Sequence, residues 1–194
     1  MKVIGISGVA RSGKDTLGDQ FISMLTDWGV KCQKISFANQ LKEETDSFLK
    51  NTIGISSFTE DDDEKKIIRP FLVTWGTHVR RKLDPDVWIK SLADQLKEDT
   101  VAIVCDVRFE NELNWIKSVG GHSVYVNRID LEGNLIQPAN KDEQDNTVKL
   151  SDQCDHFFTW SSVSDEQWLE AIAYEVLKKT VPVKELEKWI QTCH

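Results

Sequence analysis

A run of apolar residues, Val3-Ile4-Gly5-Ile6, passes into Gly8-Val9-Ala10-Arg11-Ser12-Gly13-Lys14-Asp15-Thr16 and then into a segment with apolar residues at 17, 21, 22, 24 and 25. The first part suits a short buried strand and the last a helix packed along one face. Between them, two glycines let the backbone curl so that successive N–H groups converge, and the following helix N-terminus adds its own unpaired donors. Strand, curled loop and helix in that order leave few folds open. The G-x-x-x-x-G-K spacing makes a polyphosphate the ligand such a loop takes, with Lys14 reaching its outer phosphates. A Gly-rich turn opening an ordinary α/β domain is the alternative, which the strand-to-helix context argues against. Asp15 stands where Ser or Thr would offer a hydroxyl to Mg²⁺, and Thr16 follows it. Either Thr16 supplies the hydroxyl, or Asp15 meets the metal directly or through water, or Asp15 acts elsewhere at the reacting centre.

Beyond the first helix the pattern predicts a strand at 30–37 and a helix at 38–49. Residues 54–64, with Ser56, Ser57 and the run Glu60-Asp61-Asp62-Asp63-Glu64, read as a solvated, mobile loop. A helix is expected over 69–81 with Pro70 in its first turn, where the missing N–H does no harm, and another over 86–97. The nearly continuous apolar run 101–105 reads as a strand buried on both faces and ending in Asp106. A helix at 110–118, a strand at 122–128 and a polar segment at 129–150 follow, the last a candidate flap. A short strand at 157–160, a helix at 165–179 capped by Ser164 with Gln167, and an appended helix at 180–194 complete the chain. This alternation points to a doubly wound α/β fold, a mostly parallel sheet flanked by helices, with ligands at the carboxyl ends of the strands.

At 194 residues the chain is too short for two typical domains, so a single domain is expected. A formal net charge of −8 argues against a broad basic surface for duplex nucleic acid. No apolar run approaches the length of a membrane span, and the N-terminal strand lacks a basic flank and a small-residue cleavage site. The cysteines, Cys32, Cys105, Cys154 and Cys193, form no C-x-x-C pair and suit a reducing cytoplasm.

Asp106 at the end of a buried strand has the form of a Walker B carboxylate serving Mg²⁺ beside the phosphate loop. Arg108 can point at phosphate, or pair with Glu110 or Glu112. Phosphoryl transfer asks a protein mainly to position donor and acceptor and to neutralise charge, and arginine forks suit phosphate oxygens. Arg69 and Arg80 are close to three helical turns apart, so one face could carry both, while Arg81 points about 100° away. Trp75 and Trp88 could stack a base or fill the core.

The chain resembles the bacteriophage-type deoxynucleoside monophosphate kinases, a branch of the P-loop nucleoside monophosphate kinases. The likeness rests on residues 8–16, on Arg69 to Arg81 followed by Trp88, and on Asp106-Val107-Arg108-Phe109-Glu110-Asn111-Glu112. It implies transfer of the γ-phosphoryl group of ATP to a deoxynucleoside monophosphate, with Mg²⁺. By that resemblance Gly8, Arg11, Ser12, Gly13 and Lys14 hold the ATP phosphates, with Asp15 and Thr16 near the metal. Asp106 and Arg108 flank the transferred group, Asp106 also at the metal, so that Lys14, Asp15, Asp106 and Arg108 form the catalytic set. Arg69, Trp75, Arg80, Arg81 and Trp88, in a helical region at about 40–97, bind the acceptor. Arg128 opens the 129–150 lid and closes with it over the nucleotides, as part of the ATP-binding set. The resemblance further implies a cytoplasmic enzyme, in the host if phage-borne, and is compatible with a homodimer. Val73, where glutamine is usual, and Asn140-Lys141-Asp142-Glu143-Gln144, which only loosely follows the usual His/Ser/Glu flap, leave base specificity open. Competing readings are a P-loop kinase with another acceptor, dephospho-coenzyme A or a hydroxymethylpyrimidine in DNA, and an ATP-binding subunit that transfers nothing.

Overall fold

The computed structural model describes residues 2–161 and 166–181. In chain order it shows β1 (Lys2–Ser7), α1 (Lys14–Asp27), β2 (Cys32–Ile35), α2 (Phe37–Ile53), α3 (Asp62–Val73), a π-type segment (Thr74–Arg80), α4 (Arg81–Leu83) and α5 (Val87–Asp94). There follow β3 (Val101–Val107), α6 (Glu110–Ser118), β4 (His122–Arg128), a π-type turn (Glu143–Thr147), a 3₁₀ segment (Val148–Gln153), β5 (His156–Trp160) and α7 (Glu166–Thr180). Two compact units arise, one from Met1–Ile35 with Leu96–His194 and one from Ser36–Gln95. The cap expected at Ser164 and residues 182–194 of the appended helix lie outside the described residues.

The first unit is a parallel five-stranded sheet in the order β2-β3-β1-β4-β5. The chain leaves β1 for β2 and β3 on one side and crosses back to β4 and β5 on the other, so the order reverses at β1, where such sheets bind ligands. Ile4 and Ile6 pack with Leu17, Phe21 and Leu25 of α1 and with Ile172, Val176 and Leu177 of α7. Gly5 points the other way: a Cβ there would lie 2.3 Å from Ile116 Cδ1 of α6. That alternation, one side chain to each face, is the period of a strand covered by helices on both sides. The β1–β3 register shifts between Gly5 and Ser7, and Ser7 Oγ donates to the Val107 carbonyl at 2.9 Å. The two strand ends that open onto the loop and onto Arg108 are thereby fastened together.

The second unit, helices α2 to α5, corrects several expectations. The acidic run does not form a mobile loop. Asp61 is the N-cap of α3, accepting the Asp63 and Glu64 backbone N–H groups at 2.9 Å each, and Asp62, Asp63 and Glu64 fill the first turn, where the helix dipole favours negative charge. Ser56 and Ser57 are pinned to α2: Asp46 Oδ1 accepts from Ser56 Oγ at 2.7 Å and from the Ser57 N–H at 3.0 Å. Pro70 accordingly lies inside α3 rather than in a first turn. It removes one helical hydrogen bond, and just beyond it the winding loosens into i→i+5 bonding over Thr74–Arg80. Gly76 of that segment has a close neighbour in α2, since a Cβ there would meet Leu41 Cδ2 at 2.9 Å.

Candidate active site

The phosphate loop runs from Gly8 to Gly13, both with positive φ (145° and 90°), and Arg11 adopts φ 66° between them. Any side chain at Gly8 would strike the Val126 carbonyl, 2.4 Å from an added Cβ. The loop is fastened at three points. Ser12 N–H bonds the Val9 carbonyl at 3.2 Å, Trp160 Nε1 at the end of β5 donates to the Ser12 carbonyl at 2.8 Å, and Glu143 Oε1 accepts the Ala10 N–H at 3.0 Å. Lys14 is only 9% exposed and folds back on the loop, its Nζ donating to the Gly8 and Val9 carbonyls at 2.8 and 2.7 Å. Burial, and then the positive charge of Arg108, push its ammonium down to about 8, against the pull of Glu143, Asp15 and Asp106. A buried ammonium whose hydrogen bonds go to neutral carbonyls is well matched to an arriving polyanion. Asp15, whose side chain is 80% exposed, pairs with Lys34 at 3.3 Å, and Lys34 also holds Asp19 at 2.8 Å.

Asp106 lies within β3 rather than beyond its end, and Arg108 follows as an exposed residue. Glu112 does something the sequence did not reveal. It is 1% exposed, and its Oε2 accepts the backbone N–H groups of both Arg108 and Phe109, at 2.8 and 3.0 Å. It shapes the turn that delivers Arg108. Its place three residues after the helix cap is the signal that could have found it. The 129–150 segment begins as a tight hairpin: Ile129 bridges Leu135, and Asp130 Oδ1 accepts the N–H groups of Glu132 and Asn134. Arg128 pairs with Trp160 in the sheet, and its buried Nε has no hydrogen-bond partner among the described residues.

In the helical unit, Arg80 and Trp75 meet on Glu44, which the sequence reading missed. Glu44 Oε1 accepts from Arg80 Nη2 at 2.9 Å and Oε2 from Trp75 Nε1 at 3.2 Å. The Arg80 guanidinium lies 5.8 Å from the centroid of the Trp88 ring, and its buried Nε has no hydrogen-bond partner among the described residues. Trp88 is 3% exposed, and its indole N–H bonds the Gly76 carbonyl at 3.3 Å, so it backs Arg80 and offers no free face to a base. Arg69 is exposed on α3, and Arg81 bonds the Pro85 carbonyl at 3.4 Å. A π-type segment winds more residues into each turn than an α-helix. Spacing therefore does not carry Arg69 and Arg80 to one face across it, and the equal-pitch expectation fails there.

These residues fit a nucleotide polyphosphate. Gly8 leaves a cradle that a Cβ would fill, Ser12 Oγ is buried with no hydrogen-bond partner among the described residues, and Lys14 needs only to turn from its two carbonyls. Among the described residues no group of three or more His, Cys, Asp and Glu side chains could hold a metal. Mg²⁺ bound by one or two protein groups together with substrate phosphates needs no such cage. Among the described residues no helix is long and apolar enough to cross a membrane.

A family model, phosphomevalonate kinase, matches residues 6–122, more than half of the chain. No curated protein matches it. A shikimate kinase from Bacteroides thetaiotaomicron is similar at 14% identity, covering 91% of this chain and 96% of its own, with a TM-score of 0.49. One from Aquifex aeolicus is similar at 16% identity, with 95% and 96% covered and a TM-score of 0.46. The APS kinase of Mycobacterium tuberculosis in complex with AMPPNP and APS is similar at 12% identity, with 91% and 95% covered and a TM-score of 0.41.

Proposed function

The chain belongs to the phosphomevalonate kinase family of P-loop kinases, and on that footing we propose that it transfers the γ-phosphoryl group of ATP to the phosphate of a deoxynucleoside monophosphate, giving the diphosphate and ADP. The observation that carries this reading is Lys14, buried in the curled loop and held by two backbone carbonyls. Turning outward, it exchanges them for the outer phosphates of ATP. The N–H groups of the loop and of the first turn of α1 hold the remaining oxygens. Thr16 or Asp15, with Asp106, would hold Mg²⁺, which when bound neutralises phosphate charge. Asp106 and Arg108 flank the transferred group, Arg128 closes over the nucleotides with the lid, and Arg69 with Arg80 or Arg81 holds the acceptor phosphate. The 129–150 segment excludes water, which would otherwise hydrolyse ATP. The choice of a deoxynucleotide rests on the likeness of residues 8–16 and 106–112 to the phage-type enzymes. The net charge of −8 favours a small acceptor over nucleic acid, and the whole chain is read as one kinase domain acting in the cytoplasm.

Phosphomevalonate is a second acceptor, favoured by the family match itself. Both acceptors are phosphate monoesters and ask the same of an arginine clamp. The protein should be incubated with ATP and Mg²⁺ against each deoxynucleoside monophosphate, its ribo counterpart and phosphomevalonate, with products separated by chromatography. A deoxynucleoside diphosphate is the expected product. Phosphorylation of phosphomevalonate alone would replace the acceptor and keep the mechanism, and no product from any acceptor would overturn the transferase reading.

A further inference from the structure

Glu143 lies far along the chain from the phosphate loop, yet it is 4% exposed and bonded to it. Its two oxygens have different duties. Oε1 accepts the Ala10 N–H at 3.0 Å, and Oε2 accepts the Ala139 N–H at 2.8 Å. Its own N–H donates to Asn140 Oδ1 at 2.9 Å, closing a small ring of bonds around the start of the Glu143–Thr147 turn. A carboxylate buried this deeply is normally paired with a cation or fully hydrogen-bonded. Here backbone N–H groups satisfy both oxygens, and charge assistance makes those bonds stronger than neutral ones.

The position of the bond matters as much as its strength. Ala10 immediately precedes Arg11, whose φ of 66° is uncommon for a residue with a side chain. Such backbone persists where its surroundings over-determine it. On the far side of Arg11, Ser12 is held by Val9 and Trp160, and on the near side only Glu143 reaches Ala10 among the hydrogen bonds described. A negative charge beside a polyphosphate site is unfavourable by itself; here Glu143 also faces the attraction of the buried Lys14 ammonium, and its two hydrogen bonds go to backbone.

We propose that Glu143 is a positioning residue for ATP: its buried carboxylate fixes Ala10 and thereby the curl of the phosphate loop, and ties the loop to the 139–147 segment. This rests on the kinase reading above. Its role is exerted through the loop backbone and not by touching the nucleotide.

The test uses the full chain and the variants Glu143→Ala, Glu143→Gln and Asn140→Ala. Backbone amide exchange is followed residue by residue in the free protein, and binding of ATP with Mg²⁺ is measured by calorimetry. Glu143→Ala should speed exchange at Ala10 and Ala139 at least about tenfold and weaken ATP by about tenfold, as for one lost charge-assisted bond. Amides of β1 and β3 should keep their protection. Glu143→Gln, which keeps one carbonyl acceptor, should fall between, and Asn140→Ala should shift both readouts less in the same direction. These last two carry the test if the alanine variant does not fold. Released Ala10 exchange with unchanged ATP affinity would overturn the proposal by showing a purely structural fastening, and unchanged Ala10 exchange would overturn it at the first step. If the wild type binds ATP but phosphorylates no acceptor, only the transferase reading falls; if it binds no ATP, both fall.

Discussion

The two units hold their proposed phosphate-binding cations by opposite means. In the sheet unit Lys14 is buried, rests on neutral carbonyls and has its ammonium pushed down to about 8 by burial and by Arg108. In the helical unit Arg80 is about one-third exposed, already paired with Glu44 and backed by the Trp88 ring. A buried lysine whose ammonium is hydrogen-bonded to neutral carbonyls gains much when a polyanion arrives. An arginine is charged at every working pH and is held in shape by its carboxylate before any ligand comes. The first arrangement suits tight capture of a polyphosphate, and the second suits orientation of a single phosphate that must enter and leave.

The largest expected effect is on the first arrangement. Lys14→Ala should lower turnover about a thousandfold, the scale for loss of one charge-stabilising donor. Its circular dichroism and melting point should stay near those of the wild type, because burial already disfavours the charged side chain. Wild-type-like turnover would break the contrast between the units. A smaller effect is expected in the second: Arg80→Ala should raise the acceptor KM roughly ten- to a hundredfold, as for a lost charged hydrogen bond, and leave the ATP KM nearly unchanged. Arg69→Ala should move the same parameter less, since Arg69 is exposed. Equal loss of ATP and acceptor in either variant would place the arginines on the wrong substrate.

The smallest effect concerns acid. His156 in β5 has its pKa lowered below 6.5 by burial, then by the charges of Lys179 and His122. The unfolded chain therefore takes up this proton first, and the sheet unit should lose stability as pH falls from about 6.5 toward the folded value. In the helical unit, the lysines Lys50 and Lys90 hold Asp46 and Asp84 below the ordinary 3.8. The stability those pairs add is kept until pH falls below that range. Hydrogen exchange at about pH 7 and about pH 5.5, corrected for intrinsic rates, should show loosening in the sheet unit alone, and His156→Gln should remove much of it. Equal loosening of both units would show that His156 does not set the difference.

Local pattern was a good guide where local forces decide. The helix at 110–118 and the strand at 122–128 coincide with α6 and β4, because apolar periodicity and the Gly120-Gly121 stop act within a few residues. The same reasoning carried the loop expected at 54–64 too far, through 62–64, which open α3. An acidic run has no apolar stripe, and only the cap at Asp61 and the dipole of the helix that follows reveal it as a helix start. The shared face expected for Arg69 and Arg80 rested on an equal pitch, which the backbone does not keep over Thr74–Arg80.

What the sequence determined by itself was the strand–loop–helix that cradles phosphate and the α/β alternation around it, since both are written in glycine placement and side-chain period. Tertiary structure alone decided the strand order, the pairing of Arg80 with Glu44 and Trp88, and the fastening of the loop by Glu143 and Trp160. Those partners come from 133 and 148 residues away. A contact at that separation leaves no periodic trace in the chain; it exists only once the parallel sheet has brought the carboxyl ends of its strands to the same edge.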